Sequence, residues 1–422
     1  MEYLPRISDN ILKNKLSYRG AVVIEGPKWC GKTSTARQQS KSELDLGDPQ
    51  VLKESKLIVE LDGKELLNGD TPRLIDEWQE IPQLWDLIRN TVDRRGKFGQ
   101  FIMTGSAVPA DREEIHHSGT GRMGRMIMRT MSLWESREST GEVSLADIFN
   151  GKTGFIGHNK LDLDKICFII VRGGWPMAIT LPPEGAMMQA TDYFNAVVNF
   201  DINRVKGKRR SPDFARRLLR VYTLHLGYQT PLTTIRKDLK DGDYMPGIDT
   251  IDDYLSAFKD IFMIEEMRSW NTNLRSKTAI RTSPTRYFTD PSIGCAAIGV
   301  GPGEIKKDLK ALGMLFENMC VRDLRIYAQA LGGEVYHYRD SAGLECDCVI
   351  CLGNGDFGLV EIKLGGEQKI EEAISNLNKL ENKLDYNTIN KPSFKMVITA
   401  VGSYAYQNKE GIWIVPIGTL KD

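Results

Sequence analysis

The 422-residue chain has no long hydrophobic run, no low-complexity segment, no internal repeat and no excess of charge of either sign. No window approaches the roughly eighteen consecutive apolar residues of a membrane-spanning helix. The opening residues MEYLPRISDNILKNKL lack the apolar centre of a secretion signal. The expectation is a cytoplasmic protein with no membrane partner. Lysine plus arginine total 56 and aspartate plus glutamate 56, so no global basic field announces a nucleic-acid ligand, and any such contact must come from a local patch. The five histidines, His116, His117, His158, His225 and His337, show no metal-ligand spacing. The seven cysteines are odd in number and unevenly spread, which reads as reduced thiols rather than a disulfide framework. Cys346-x-Cys348-x-x-Cys351 offers three thiols without a fourth ligand, and on an alternating strand two of them read as small apolar fillers.

What is present is the composition of a folded globular protein, 41% hydrophobic and 27% charged, in a chain long enough for several domains. Residues 1–150 alternate strand and helix patterns. An apolar run at 21–24 leads through a glycine-rich turn into a helix over 32–39. Further strands are expected at 56–61, 73–75 and 101–104, with a helix over 84–94 whose Leu84, Leu87, Ile88 and Val92 share one face. This order predicts an α/β fold with a mostly parallel, doubly wound sheet. Residues 151–295 read as mainly helical, with a basic run of Arg204, Lys206, Lys208, Arg209, Arg210, Arg216, Arg217 and Arg220. Two short helices (233–239 and 250–258) precede strand-like pieces (262–266 and 285–288), an order that suits a winged helix. Residues 296–422 begin with a long amphipathic helix from about Lys306. Strands at 334–338, 345–351 and 357–362 follow, then a second amphipathic helix through Ile370 to Leu384 and strands at 395–399 and 411–415.

Gly26-Pro27-Lys28-Trp29-Cys30-Gly31-Lys32-Thr33 satisfies G-x-x-x-x-G-K-[ST] between a strand and a helix that continues with Ser34. The loop glycines let the backbone wrap phosphates, and the helix start offers free N–H groups. Lys32 reaches the terminal phosphates of ATP and Thr33 ligates Mg²⁺. Trp29 and Cys30 read as loop fillers. The strand ending in Asp76-Glu77 supplies the acidic partner, Asp76 for the Mg²⁺ shell and Glu77 to polarise water. Thr104 or Ser106, closing another strand, would sense the γ-phosphate. Arg122 and Arg125, in a glycine-bearing stretch read as flexible, would present a guanidinium in cis or to a neighbouring subunit of a homo-oligomer.

A second constellation lies near the C-terminus. Asp347 on one strand and Glu361-Ile362-Lys363 on the next have the spacing D…(D/E)-x-K. Period-two alternation puts Glu361 and Lys363 on one face. With Asp347 across the ladder and Glu317 from the preceding helix, the carboxylates would bind Mg²⁺ or Mn²⁺ at Asp347 and Glu361 and direct water at a phosphodiester, with Lys363 beside them. The competing reading is a solvated strand face carrying ordinary Glu and Lys.

With these residues in hand, the chain resembles the prokaryotic AAA-like ATPases of the AAA_14 plus DUF4143 family over nearly its whole length. The markers are residues 26–33, 74–79, 102–106, Met131-Ser132-Leu133-Trp134-Glu135, Arg172-Gly173-Gly174-Trp175-Pro176, Asp290-Pro291-Ser292, Leu315-Phe316-Glu317-Asn318 and Glu361-Ile362-Lys363-Leu364. The resemblance implies an ATPase domain, a winged-helix-like middle and a terminal domain similar to the PD-(D/E)xK nucleases, of restriction-endonuclease-like α/β fold. The function expected is an ATP-hydrolysing protein that acts on duplex or branched DNA, with metal-dependent nuclease activity. The alternative is a nucleotide-dependent switch that binds protein partners and keeps the terminal domain as a non-catalytic scaffold.

Overall fold

The computed structural model describes residues 3–105, 119–154, 156–271 and 283–422. It is a mixed α/β protein that divides into two compact units. The first comprises Met1–Thr130, Ala196–Ser211 and Ser256–Met263, and the second Met131–Asn195, Pro212–Leu255 and Ile264–Asp422.

The first unit is built on β1 (Ala21–Glu25), β2 (Ser42–Asp45), β3 (Arg73–Asp76), β4 (Phe101–Gly105) and β5 (Met123–Ile127), in the order β2-β3-β4-β1-β5. Every pairing is parallel. A parallel sheet is covered on both faces, which is why β1 and β4 read as continuous apolar runs. Ala21 and Val23 join one core with Trp78, Trp85 and Ile88, while Val22 and Ile24 join a second with Leu12, Leu16 and Ile102.

Three local readings of this unit need correction. Residues 56–61, expected as a strand, lie inside the helix Pro49–Asp62. Asp48 caps that helix by accepting from the amides of Gln50 and Val51, and Pro49 opens it. Val51, Leu52, Ile58 and Val59 then meet the core at helical spacing. β2, an additional strand of sequence Ser-Glu-Leu-Asp, buries only Leu44 and so carries no apolar run. The supposedly flexible stretch holding Arg122 and Arg125 runs into the edge strand β5.

In the second unit, β6 (Val143–Ser144) pairs with β14 (Leu420–Lys421). The main sheet contains β7 (Gly157–His158), β8 (Glu334–Arg339), β9 (Glu345–Cys351), β10 (Phe357–Lys363), β11 (Phe394–Thr399), β12 (Tyr404–Gln407) and β13 (Trp413–Pro416). Their order is β7-β12-β13-β11-β10-β9-β8. β8, β9 and β10 form an antiparallel meander, whereas β10, β11 and β13 run parallel. The helix Glu367–Lys383 seals one face by packing Ala373, Leu377 and Leu380 on Val349, Leu359 and Val397. The helix expected from about Lys306 is broken in two, Pro302–Lys307 and Leu309–Ala330, because Asp308 caps the amides of Lys310 and Ala311. The two short middle helices are Leu232–Asp238 and Ile248–Asp260. The strand-like pieces after them make only isolated antiparallel bridges, Ile264 with Phe288 and Met267 with Thr285. The seven cysteines are free thiols. No helix among the described residues is long and apolar enough to cross a membrane.

His337 on β8 is buried beside Gln229, whose side-chain nitrogen lies 2.8 Å from Nδ1. Burial pushes its pKa down to about 4, with Arg339 adding to the effect. The folded state therefore excludes a proton that the unfolded chain takes up below its ordinary value near 6.5. Stability from this group is complete above the unfolded value and lost as pH falls toward the folded one. Denaturation at pH 7 and pH 5 should show an acid penalty of order 2 kcal/mol, and His337→Gln should remove that part of it.

Candidate nucleotide site and carboxylate–lysine site

The phosphate loop follows β1 directly. Gly26 has φ +154°, and a Cβ there would come within 2.0 Å of the Met128 carbonyl oxygen. Gly31, at φ +100°, turns the chain into the helix Lys32–Arg37. The Lys32 ammonium is buried and donates to the carbonyls of Gly26 (2.9 Å) and Pro27 (2.7 Å), so it lies along the inside of the loop. Cys30 is buried with its thiol toward the Met128 carbonyl, while Trp29, at φ +66°, is exposed.

β4 lies between β1 and β3, so its end is placed between the loop and the acidic strand. Thr104 pairs in register with Ile24, and Met103 with Ile75. Asp76 is the meeting point. The Thr33 hydroxyl donates to its two oxygens at 2.9 and 3.1 Å, and the Thr104 hydroxyl donates to Oδ1. Burial pushes the Asp76 carboxyl upward against these two donors, and the charges of Glu77 and Asp45 add to the rise. Glu43, Asp45 and Asp76 bring oxygens within 4.8 Å of one another, but Arg37 already pairs with Glu43 at 2.5 Å and Asp45 at 3.4 Å. A hydroxyl and a buried carboxylate in contact are hard oxygen donors of the kind Mg²⁺ takes. Glu77 sits in the left-handed region at φ +54°, ψ +44°, an uncommon conformation for a glutamate. The Gln79 amide donates to its carboxylate.

Arg122 and Arg125 are engaged within their own unit. Arg122 pairs with Asp93 at 2.6 Å, and Arg125 pairs with Glu25 at 2.6 Å and lies over the Trp85 ring. Ser34 follows Thr33 in the helix. Ser106, His116 and His117 lie outside the described residues.

In the second unit the antiparallel register sets Val360 against Cys348, which puts Asp347 across from Glu361. The side chains converge. Lys363 Nζ lies 2.7 Å from Glu361 Oε2 and 3.1 Å from Asp347 Oδ2, and Asp347 Oδ2 also accepts from the Ile362 amide at 2.7 Å. Glu361 is 4% exposed, which distinguishes it from a residue on a solvated strand face. Its other oxygen accepts from Asn376 on the helix Glu367–Lys383 at 2.6 Å. Burial, then the Asp347 charge, pushes the Glu361 carboxyl up to about 8. Glu317, on Leu309–Ala330, is also raised to about 8, by burial first and by Asp347 second. The Tyr287 hydroxyl donates to Glu317 at 2.6 Å, and Gly227 passes so close that a Cβ would meet Glu317 Oε1 at 2.8 Å. Lys363 is shifted upward by the Asp347 and Glu361 charges despite its own burial. These carboxylates are costly to ionise together, and Lys363 already pairs with Asp347 and Glu361; their oxygens are hard donors of the kind Mg²⁺ takes. Tyr287 and Asn376 carried no signal in the sequence, because their partners lie 30 and 15 residues away.

The basic run resolves into unlike environments. Arg210 is buried and donates to the carbonyls of Ile202 and Val205, each at 2.9 Å, so it is a structural residue rather than a surface contact. Arg216 bonds Asn195, and Arg217 bonds the Leu239 carbonyl and pairs with Asp241. Arg204, Lys208, Arg209, Arg217 and Arg220 are exposed.

A parallel sheet with a phosphate loop after one strand and a carboxylate ending another defines a P-loop nucleoside triphosphatase. Residues 18–136 match the model of an AAA domain (AAA_14), and residues 312–420 match a domain of unknown function (DUF4143). Residues 163–304 match a further domain of unknown function (DUF8612). The chain is an AAA-like ATPase carrying these domains. Among solved structures it is similar to the Walker-type ATPase paby2304 of Pyrococcus abyssi, at 14% identity and a TM-score of 0.42, over 70% of this chain and 96% of that one. It is also similar to the helicase domain of Pyrococcus furiosus Hef, at 12% identity and a TM-score of 0.21, over 94% and 90% of the two chains. No curated protein matches the chain.

Proposed function

We propose that this ATPase acts on DNA and cleaves phosphodiesters at Asp347, Glu361 and Lys363. ATP and Mg²⁺ are held by residues 26–34 with Asp76 in the first unit, and the carboxylate–lysine cluster lies in the second. The observation that carries the reading is the convergence of two carboxylates and an ammonium in a partly buried cluster, with a third carboxylate on the neighbouring helix. A bound Mg²⁺ or Mn²⁺ would supply charge neutralisation and an acidified water there. Asp347 and Glu361 are the residues to hold it. Lys363 is placed to stabilise charge developing on the scissile phosphate, while Asn376 and Tyr287 fix the rotamers of Glu361 and Glu317. In the first unit the exposed Arg204 and Arg209, and in the second the exposed Arg220, each offer a phosphate contact, and the two short middle helices with their bridged pair serve as a winged-helix-like reader.

The test is a cleavage panel of duplex, single-stranded and four-way DNA, with and without ATP, in Mg²⁺ or Mn²⁺. Divalent-dependent cleavage of duplex or branched DNA is expected, falling at least about 100-fold in Asp347→Asn. Absence of cleavage under every condition by a preparation that hydrolyses ATP would remove the nuclease reading.

A further inference from the structure

Lys28, the third residue of the phosphate loop, donates from Nζ to Asp201 Oδ1 at 2.7 Å. Asp201 opens a short 3₁₀ turn, Asp201–Asn203, in the segment Ala196–Ser211, which packs within the first unit although it follows the P-loop by some 170 positions. The turn is held by Arg210. Arg210 donates its guanidinium to the carbonyls of Ile202 and Val205 and its amide to Asn203 Oδ1. The pair itself is looser, with side-chain exposures of 38% for Lys28 and 14% for Asp201. A partly exposed lysine–carboxylate pair is weak, and its ammonium exchanges readily for a stronger anion.

The stronger anion is a nucleoside polyphosphate. The loop backbone that carries Lys28 is the one that wraps phosphates, and Lys32 already lies along its inside. The arginines of β5 and the turn before it are committed to Glu25 and Asp93. Lys28 is the second cation carried by the loop itself, and it is held by a single partly exposed carboxylate. We propose that Lys28 is a second phosphate-binding residue of the ATP site, and that Asp201 and the terminal phosphates compete for its ammonium. The proposal rests on the P-loop reading and deepens it. Phosphate binding by Lys28 releases Asp201, so the segment 196–211, with its exposed Arg204, Lys208 and Arg209, reads the nucleotide state directly.

The experiment is a double-mutant cycle read by calorimetric titration of the full chain with ATP·Mg²⁺ and with ADP·Mg²⁺. Asp201→Asn frees the ammonium and should tighten ATP about threefold to fivefold. Lys28→Met should weaken ATP by more than it weakens ADP. In the Lys28→Met background Asp201→Asn should have no further effect, because the competition has lost its object. An Asp201→Asn effect of equal size with and without Lys28 would mean that Asp201 repels phosphate on its own, and unchanged affinities in both single variants would mean that Lys28 never leaves Asp201. Either result overturns the proposal. Lys32→Ala separates the two readings: if that variant binds ATP as wild type does, the P-loop assignment itself has failed.

Discussion

Lys32→Ala lowers ATP turnover at least about 100-fold, the scale set by removing one preorganised charge partner from a developing phosphate charge. The ammonium is buried against the Gly26 and Pro27 carbonyls, inside the loop. Asp76→Ala should produce a comparable loss for a different reason, since it removes the carboxylate on which Thr33 and Thr104 both converge. The two variants are told apart by titrating Mg²⁺. Excess metal should leave Lys32→Ala unimproved and recover part of the nucleotide affinity of Asp76→Ala. Glu77→Gln should bind ATP normally yet hydrolyse it slowly, as only the polarisation of water is lost. A steady-state phosphate-release assay with parallel binding measurements checks all three.

Arg322→Met destabilises the second unit by about 3–5 kcal/mol, the cost of leaving buried charge without its partner. Arg322 is 1% exposed in its side chain and pairs with Asp290 at 2.9 Å and Asp323 at 2.8 Å, neither of which reaches solvent. Each carboxylate has a second task. Asp290 accepts from the Gly174 amide and from Ser292, and Asp323 accepts from the Leu133 amide. Burial already lifts Asp323 to about 6 with the guanidinium present, so removing the guanidinium should push both acids toward neutrality. Chemical denaturation measures the loss. Adding Asp290→Asn and Asp323→Asn to Arg322→Met should return part of it, because the buried charge is then gone.

That cluster also accounts for sequence markers that suggested no chemistry. In Arg172-Gly173-Gly174-Trp175, Gly173 takes φ +73°, and a Cβ on Gly174 would fall 2.2 Å from the Met131 carbonyl oxygen. The Trp175 ring nitrogen donates to Ser292, and Arg172 pairs with Glu138. The motifs at 131–135, 172–176 and 290–292 are thus one buried polar assembly, recruited from distant parts of the chain to satisfy the Arg322 triad. Sequence spacing cannot reveal such an assembly, because its members share neither an element nor a period.

The P-loop and Asp76 were legible because a strand, a glycine turn and a helix start lie within one short window, and the acid closes an apolar run. The strands β8, β9 and β10 were legible as strands, and period two put Glu361 and Lys363 on one face; their antiparallel order was not, and β10 is buried at every position from Phe357 to Ile362. The misreadings have physical causes. Leu57-Ile58-Val59 looks like a strand core, but the cap at Asp48 had already started a helix. β2 and β5 are edge strands whose polar residues face solvent and leave a weak pattern. Arg210 counted as surface charge by type, and only the fold shows its guanidinium spent on backbone carbonyls.

The most direct measurement scores two activities on the same preparations: ATP hydrolysis and divalent-dependent DNA cleavage, for wild type, Lys32→Ala and Asp347→Asn. The account predicts a crossed pattern. Lys32→Ala loses hydrolysis and retains the ATP-independent part of cleavage, while Asp347→Asn loses cleavage and hydrolyses ATP at the wild-type rate. Cleavage that survives intact in Asp347→Asn, or hydrolysis that survives intact in Lys32→Ala, would contradict it.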